Sequence, residues 1–113
     1  MLIARGIDEE AGLLENQGAL DLWLSCRGQE AAQVGSAMAI GDEAVIFPSY
    51  REHAVAVVRG IDAVSLVAQW AGRTYCGWNP RKHGFFPYTL VLAAQTLRRG
   101  GKGAPRVAVR GLQ

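Results

Sequence analysis

The sequence is short of charge, of cysteine and of long apolar runs. Charged residues make up 19% of its 113 positions and hydrophobic residues 50%, so wholesale disorder is excluded and some apolar surface is expected to face a partner. Two cysteines, Cys26 and Cys76, match no CxxC spacing and form no disulfide framework. No run reaches 18 apolar residues, so no membrane-spanning helix is predicted.

The length fits a single domain. The chain opens with Met1 to Ala4, but Arg5 and the acidic residues 8–10 follow at once, which is not the pattern of a secretory signal. With so few cysteines, a reducing cytoplasmic location is expected.

The small positive charge comes from the last residues. The formal net charge is +2; residues 98–113 contain five basic residues and no acidic one, which leaves seven basic and ten acidic residues in 1–97. The basic segment is rich in glycine and has no apolar periodicity, so it is predicted to be a disordered tail. Its Gly-Gly-Lys-Gly sequence lacks the spacing of a phosphate-binding loop. Nucleic-acid binding through this tail is an alternative that salt dependence would test.

Hydrophobic periodicity predicts a mostly helical chain of five helices, one short strand and one long loop. Residues 1–97 are expected to form one partial domain. The predicted helices are 1–16, 29–39, 49–59, a helix that Asp62 caps and that ends before Gly72, and 89–97; the strand is 44–47, and the loop is 72–88.

The sharpest local signal is the heptapeptide FPSYREH at positions 47–53. Ser49 and Glu52 are spaced as a capping box, in which the Ser49 hydroxyl accepts the Glu52 amide N–H. Arg51 would then lie in the first helical turn, where the helix dipole disfavours a cation unless an anion is bound there. Arg51 and the Tyr50 hydroxyl are therefore candidate anion ligands. The structural alternative is an ion pair of Arg51 with Glu52 or Glu30.

Three further groups of residues each have a chemical and a structural interpretation. His53 is either a general acid or base or a packed side chain. A zinc site built from Cys26, Cys76, His53 and His83 would match no known zinc spacing. Six aromatic residues favour a buried wrapping loop over stacking on bases: Trp70, Tyr75, Trp78, Phe85, Phe86 and Tyr88.

Four sequence blocks occur in one order across residues 1–97: GQEAAQVGSA at 28–37, FPSYREHAVA at 47–56, GWNP at 77–80 and FFPYT at 85–89. Their order and spacing resemble the alpha subunit of the thiamine-diphosphate-dependent 2-oxoacid dehydrogenases. These are the first components of the pyruvate and branched-chain 2-oxoacid dehydrogenase complexes. Because four blocks match in order, the resemblance is specific.

The resemblance implies an α/β thiamine-diphosphate-binding fold and oxidative decarboxylation of a 2-oxo acid, with acyl transfer to the lipoyl group of a partner acyltransferase. It implies that Tyr50 and Arg51 contact the cofactor diphosphate and that Leu90 and Leu92 support its aminopyrimidine ring. It also implies a heterotetramer with a beta subunit. The activating glutamate belongs to that subunit, so no catalytic residue is expected in this chain.

The chain departs from the family pattern beyond Leu97, where a basic tail replaces a helix of small residues. In the family, a Gly-Asp-Gly motif and a downstream Asn hold magnesium and come later than position 113. Here Gly41-Asp42 is followed by Glu43 and precedes Tyr50. We therefore expect a truncated or frame-shifted fragment that lacks the magnesium ligands and is inactive alone. The alternative is a non-catalytic helical module that pairs with a full-length subunit.

Overall fold

A computed structural model describes residues 1–94 of the chain. This part is mostly helical. Its five helices are α1 (Leu2–Asn16), α2 (Glu30–Ala39), α3 (His53–Val58), α4 (Ala63–Trp70) and α5 (Pro80–His83). No helix within residues 1–94 is both long and apolar enough to cross a membrane.

The first, second and fourth predicted helices are confirmed. The α1 helix buries Ala4, Asp8 and Ala11 on one face, and the irregular connector predicted after it leads to α2. Asp62 caps α4 as predicted, because its Oδ1 accepts the Ser65 N–H at 2.9 Å. These helices were predictable because their caps and periodic apolar positions are local features of the sequence.

The predicted helix over 49–59 is wrong in its first part, because α3 begins only at His53. The Ser49 hydroxyl donates to the Glu52 carboxylate at 2.8 Å, and the same carboxylate accepts the Arg51 N–H at 3.1 Å. The His53 N–H in turn donates to the Arg51 carbonyl at 2.8 Å. These bonds close a tight turn centred on Glu52, so residues 49–51 precede the helix, and Glu52 occupies the N-cap position without a side-chain cap hydrogen bond.

The predicted strand over 44–47 is also wrong. Within residues 1–94 the backbone forms one isolated parallel bridge, between Ile46 and Phe85. The Ile46 N–H donates to the Gly84 carbonyl at 2.8 Å, and the Phe86 N–H donates to the Ile46 carbonyl at 3.0 Å. A single bridge does not make a sheet.

The predicted helix over 89–97 is absent from residues 89–93. Ala93 has a φ of +64°, in the left-handed region that an α-helix cannot include. Residues 95–97 of this predicted helix, and the predicted tail over 98–113, lie outside the described residues. The fifth observed helix is instead α5, inside the predicted loop. There the Asn79 side chain accepts the Arg81 N–H at 3.0 Å, and Pro80 occupies the first helical position.

Two hydrophobic clusters hold the described residues together. The first contains Ile46, Leu66 and Phe85 at its centre, and the second joins the aromatic side chains of Trp23 and Trp70 to α1. Tyr88 packs against both clusters. The loop over 72–88 therefore wraps the core, as its aromatic content predicted, although Tyr75 is exposed.

Candidate functional site

Tyr50 and Arg51 lie in the turn before α3, at the edge of the second cluster. The Tyr50 ring packs against that cluster, and the Arg51 guanidinium carbon lies 5.6 Å from the Tyr50 ring centroid. Arg51 Nη1 donates to the Ser25 carbonyl at 2.5 Å. Among the described residues this is the only hydrogen bond of the guanidinium, and the Tyr50 hydroxyl has none. Four guanidinium N–H groups and one hydroxyl are thus available to an anion.

Both predicted ion-pair partners of Arg51 are engaged elsewhere, so that structural alternative is wrong. Glu30 pairs with Arg5 at 2.9 Å, and Glu52 is bonded to the Ser49 hydroxyl and to the Arg51 backbone. The reasoning from the helix dipole is also wrong, because Arg51 precedes α3 by two residues.

The backbone at Arg51 is fixed by the α2 helix. Gln33 is buried; its amide nitrogen donates to the Arg51 carbonyl at 2.9 Å. Its amide oxygen accepts the Ala54 N–H at 3.0 Å. The Gln33 side chain therefore binds both the turn before α3 and the first turn of α3. These two hydrogen bonds restrict the position of the Arg51 backbone.

Leu90 and Leu92 are exposed by 55% and 60%. The Thr89 N–H donates to the Ser49 carbonyl at 2.7 Å. The segment that carries these leucines therefore starts beside Ser49, which directly precedes Tyr50. The structure thus places the two predicted pairs on neighbouring segments. Tyr50 and Arg51 supply polar donors, and Leu90 and Leu92 supply uncovered apolar side chains.

Asp8 lies at the centre of a hydrogen-bond network behind Arg51. Its carboxylate accepts the Trp23 indole N–H and the Cys26 N–H, both at 3.0 Å, and the Ser25 hydroxyl at 2.5 Å. Burial would raise the pKa of Asp8, but the bonds from Ser25, Cys26 and Trp23 outweigh it and hold this pKa below its usual value. Asp8 is therefore an anion on α1, and its three hydrogen-bond donors all lie in the connector between α1 and α2.

His53 is a packed side chain, as one of its two interpretations held. It is fully buried, and its ring nitrogens contact the Leu24 carbonyl at 2.8 Å and the Tyr88 hydroxyl at 2.9 Å. Burial lowers the pKa of His53 to about 4. A ring that is enclosed on both sides has no access to a substrate.

The zinc interpretation finds no support in the structure. Within residues 1–94, no group of three or more His, Cys, Asp or Glu side chains is arranged to hold a metal ion. His83 Nδ1 instead contacts the Arg59 carbonyl at 2.8 Å.

Sequence reasoning missed Asp8, Ser25 and Gln33. A signal for Asp8 was present, since it lies between Ile7 and Ala11 on the apolar face of α1. A carboxylate on a buried face must be satisfied by donors. Ser25 acts through its backbone carbonyl, and Gln33 acts through its side-chain amide. The partners of both groups are distant in the sequence, and no local pattern reveals such contacts.

Comparison with known proteins identifies the class. The family model described as "Dehydrogenase E1 component" matches residues 1–102, and the chain belongs to this family. The family is one that uses thiamine diphosphate as its cofactor.

Curated relatives make the relationship more specific. The chain is 38% identical over 101 residues to the 3-methyl-2-oxobutanoate dehydrogenase subunit alpha of Mycobacterium tuberculosis, covering 89% of this chain and 28% of the relative. It is 44% identical over 68 residues to the 2-oxoisovalerate dehydrogenase subunit alpha of Bacillus subtilis, covering 59% of this chain and 21% of the relative. The chain thus spans 28% or less of these two relatives. No solved structure matches the chain.

Proposed function

We propose that this chain contributes the diphosphate-binding part of the thiamine diphosphate site in a branched-chain 2-oxoacid dehydrogenase alpha subunit. One observation carries the proposal: the Arg51 guanidinium is held by a backbone carbonyl and keeps four N–H donors free beside the free Tyr50 hydroxyl. A cation that is oriented but not neutralised is suited to a bidentate contact with phosphate. The branched-chain assignment is supported by the names of the first relatives.

When bound, thiamine diphosphate supplies the electron sink for decarboxylation of a 2-oxo acid. The residues of this chain bind and orient it. Arg51 and Tyr50 hold the diphosphate, while Leu90 and Leu92 offer an apolar surface to the aminopyrimidine ring. The Glu52 carboxylate is bonded to Ser49 and to the Arg51 backbone, so we assign it no magnesium. The family magnesium ion would take its ligands from the alpha-subunit region that follows the matched residues.

We further propose the family's context for the chain. Residues 1–97 form part of a thiamine-diphosphate-binding α/β domain, and the partners are a beta subunit and a lipoyl-bearing acyltransferase. The chain acts in the cytoplasm, where its free thiols Cys26 and Cys76 stay reduced. The 113 residues alone are inactive, because they supply neither the magnesium ligands nor the beta-subunit glutamate.

The proposal is tested in a full-length alpha subunit that carries this sequence, because the 113 residues alone lack the magnesium ligands. Thiamine diphosphate is titrated calorimetrically, with magnesium present, into the wild type and Arg51→Ala of that subunit. A charge-assisted bond is typically worth about 1.5–3 kcal/mol, so Arg51→Ala is expected to weaken binding roughly tenfold to a hundredfold. Arg51→Lys should recover part of the loss, because a point charge cannot reproduce the guanidinium fork.

The matched control is Arg27→Ala. Arg27 is an exposed arginine that pairs with Glu9 at 2.8 Å, so its removal should leave the affinity unchanged. Equal affinity of the wild type and Arg51→Ala, with a strongly lowered melting temperature of Arg51→Ala, would show that Arg51 is structural and would overturn the proposal.

A second function, that of a non-catalytic interaction module, is favoured by the start of α1. Leu2 and Ile3 are exposed by 87% and 69%, and apolar surface of this kind is typical of an interface. Sedimentation of the purified chain with and without a full-length subunit separates the two functions. A module that pairs with the subunit but binds no thiamine diphosphate would fit the second one.

A further inference from the structure

The peptide group between Ser25 and Cys26 lies between two opposite charges. Its N–H, from Cys26, donates to the Asp8 carboxylate at 3.0 Å. Its carbonyl, from Ser25, accepts Arg51 Nη1 at 2.5 Å. The N–H and C=O of one peptide point in opposite directions. The dipole of this peptide is therefore aligned with the negative charge at its N–H end and the positive charge at its carbonyl end.

Asp8 also fixes the residues on both sides of this peptide. The Ser25 hydroxyl donates to the second carboxylate oxygen, and the Trp23 indole N–H donates to the first one. Trp23 in turn stacks on His53 with ring centroids 4.2 Å apart. Since His53 follows Arg51 by two residues, the connector that Asp8 organises touches the Arg51 segment at two points.

We propose that Asp8 is a positioning residue of the diphosphate site, which fixes the Ser25–Cys26 peptide so that its carbonyl aims the Arg51 guanidinium at the ligand. This inference rests on the proposed function of Arg51. Asp8 is buried, and its carboxylate is occupied by Trp23, Ser25 and Cys26, so it acts through Arg51 and not by contact with the cofactor. A free arginine side chain loses much rotamer freedom when it binds, and the carbonyl removes part of that cost beforehand.

The first test measures affinity. Inorganic pyrophosphate is titrated, with magnesium present, into the full-length alpha subunit as the wild type, Asp8→Asn and Glu9→Gln. Glu9→Gln makes the same change of charge on the next residue of α1, where Glu9 is exposed and pairs with Arg27. Asp8→Asn should weaken binding at least about fivefold, since groups that orient a ligand-binding side chain from behind matter by about tenfold or more in metal sites. Glu9→Gln should stay within about twofold of the wild type.

The second test observes the guanidinium directly and needs no ligand. Nitrogen-15 NMR observes the arginine side chains, and the Arg51 signals are assigned by their loss in Arg51→Lys. In the wild type and in Glu9→Gln, the Arg51 N–H protons should exchange with solvent more slowly than those of an unbonded arginine. Asp8→Asn should broaden or shift these signals. Leu66→Val, a variant of the other hydrophobic cluster, shows whether general loss of stability has the same effect.

The outcomes separate the two proposals. Weaker pyrophosphate binding together with an altered Arg51 signal in Asp8→Asn alone supports the positioning role. Wild-type affinity or an unchanged Arg51 signal in Asp8→Asn, while Arg51→Ala loses affinity, overturns the role of Asp8 and leaves the proposed function standing. A wild-type full-length subunit that binds neither pyrophosphate nor thiamine diphosphate overturns both.

Discussion

The imidazole of His53 lies almost parallel to the indole of Trp23, with ring centroids 4.2 Å apart and planes inclined by 16°. The ring is neutral, and its hydrogen bonds define its tautomer. A carbonyl only accepts, so Nε2 carries the proton and donates to Leu24. Nδ1 therefore accepts from the Tyr88 hydroxyl. His53 thus links three segments that are distant in the sequence, and protonation of Nδ1 would place a charge in this buried site and make the Tyr88 hydroxyl accept instead of donate.

Acid should therefore destabilise the chain through His53. Burial lowers the folded-state pKa from 6.5 to about 4, so the unfolded state takes up a proton at a higher pH than the folded state does. The contribution of His53 is fully present above pH 6.5 and is lost as the pH falls from 6.5 towards 4, by about 3 kcal/mol in total. The measurement is the free energy of unfolding in urea at several pH values, for the wild type and His53→Gln.

The difference in unfolding free energy between the wild type and His53→Gln isolates the contribution of His53, because the carboxylates that titrate in the same pH range contribute equally to both. His83→Gln, the control, should retain the full acid sensitivity of the wild type. Parallel pH profiles of the wild type and His53→Gln would contradict the prediction.

Gly77→Ala should strongly destabilise the fold. A Cβ at this position would lie 2.4 Å from the Ser65 carbonyl oxygen, and that atom belongs to the backbone of α4, which cannot move aside cheaply. Overpacking of this kind costs about 1–3 kcal/mol or more. Thermal melts of Gly77→Ala would show the loss.

The control for Gly77 is Gly35→Ala. Gly35 lies inside α2, and a Cβ there meets no atom within 4 Å. Replacing glycine in a helix interior with alanine should stabilise the chain by about 0.5–1 kcal/mol. The two alanine variants should thus shift the melting temperature in opposite directions; a shift in the same direction would disprove the packing at Gly77.

Cys76 should react with thiol reagents before Cys26. Burial, together with the negative charges of Asp8 and Glu30, raises the pKa of Cys26 to about 11, and the thiolate is the reactive form. Cys26 is fully buried, whereas Cys76 is partly exposed. Mass spectrometry after brief alkylation should find one label, at Cys76, and a second only in urea. Early labelling of Cys26 in Cys76→Ser would show that the connector opens readily.

Asp62→Ala should destabilise α4 by about 1 kcal/mol, the usual effect of losing an N-cap. The carboxylate accepts both the Ser65 N–H and the Ser65 hydroxyl, at 2.9 and 2.7 Å. These bonds hold the pKa of Asp62 below its usual value, so the cap is intact at neutral pH and is lost as the pH falls through that lowered pKa. Asp21→Ala, at an exposed position outside any helix, should leave the stability unchanged in denaturant titrations.

The two cap predictions show what the sequence can and cannot reveal. Asp62 was predictable because its partner is three residues away and nothing else competes for its carboxylate. Ser49 and Glu52 have the same spacing, but Ser49 bonds to the carboxylate itself and the Thr89 N–H takes the Ser49 carbonyl. A partner forty residues away decided the conformation there, and single-sequence reasoning does not see such partners.

The candidate site, like the caps, was predictable from the sequence only in part. The motif and the family resemblance singled out Tyr50 and Arg51, and the structure leaves their polar groups open to a ligand. The reason first given for Arg51, its place in a helical turn, was wrong. What orients it is the Ser25 carbonyl, a backbone atom whose usefulness depends on tertiary structure and not on residue type. The positions of Leu90 and Leu92 likewise depend on the bond between Thr89 and Ser49.

Because Tyr88 packs against both hydrophobic clusters, neither cluster closes before that residue is available. During synthesis, a nascent chain that ends near α4 lacks Trp78 and Phe85 of the first cluster and the Tyr88 ring that packs against both, so it presents incompletely covered apolar surfaces to its surroundings. Domains are generally made from the N-terminus at about 5–20 residues per second, so this state lasts for a second or more on each ribosome. Chaperones that bind exposed apolar segments meet the chain in that interval, and a chain stalled before Tyr88 is expected to be a target for degradation.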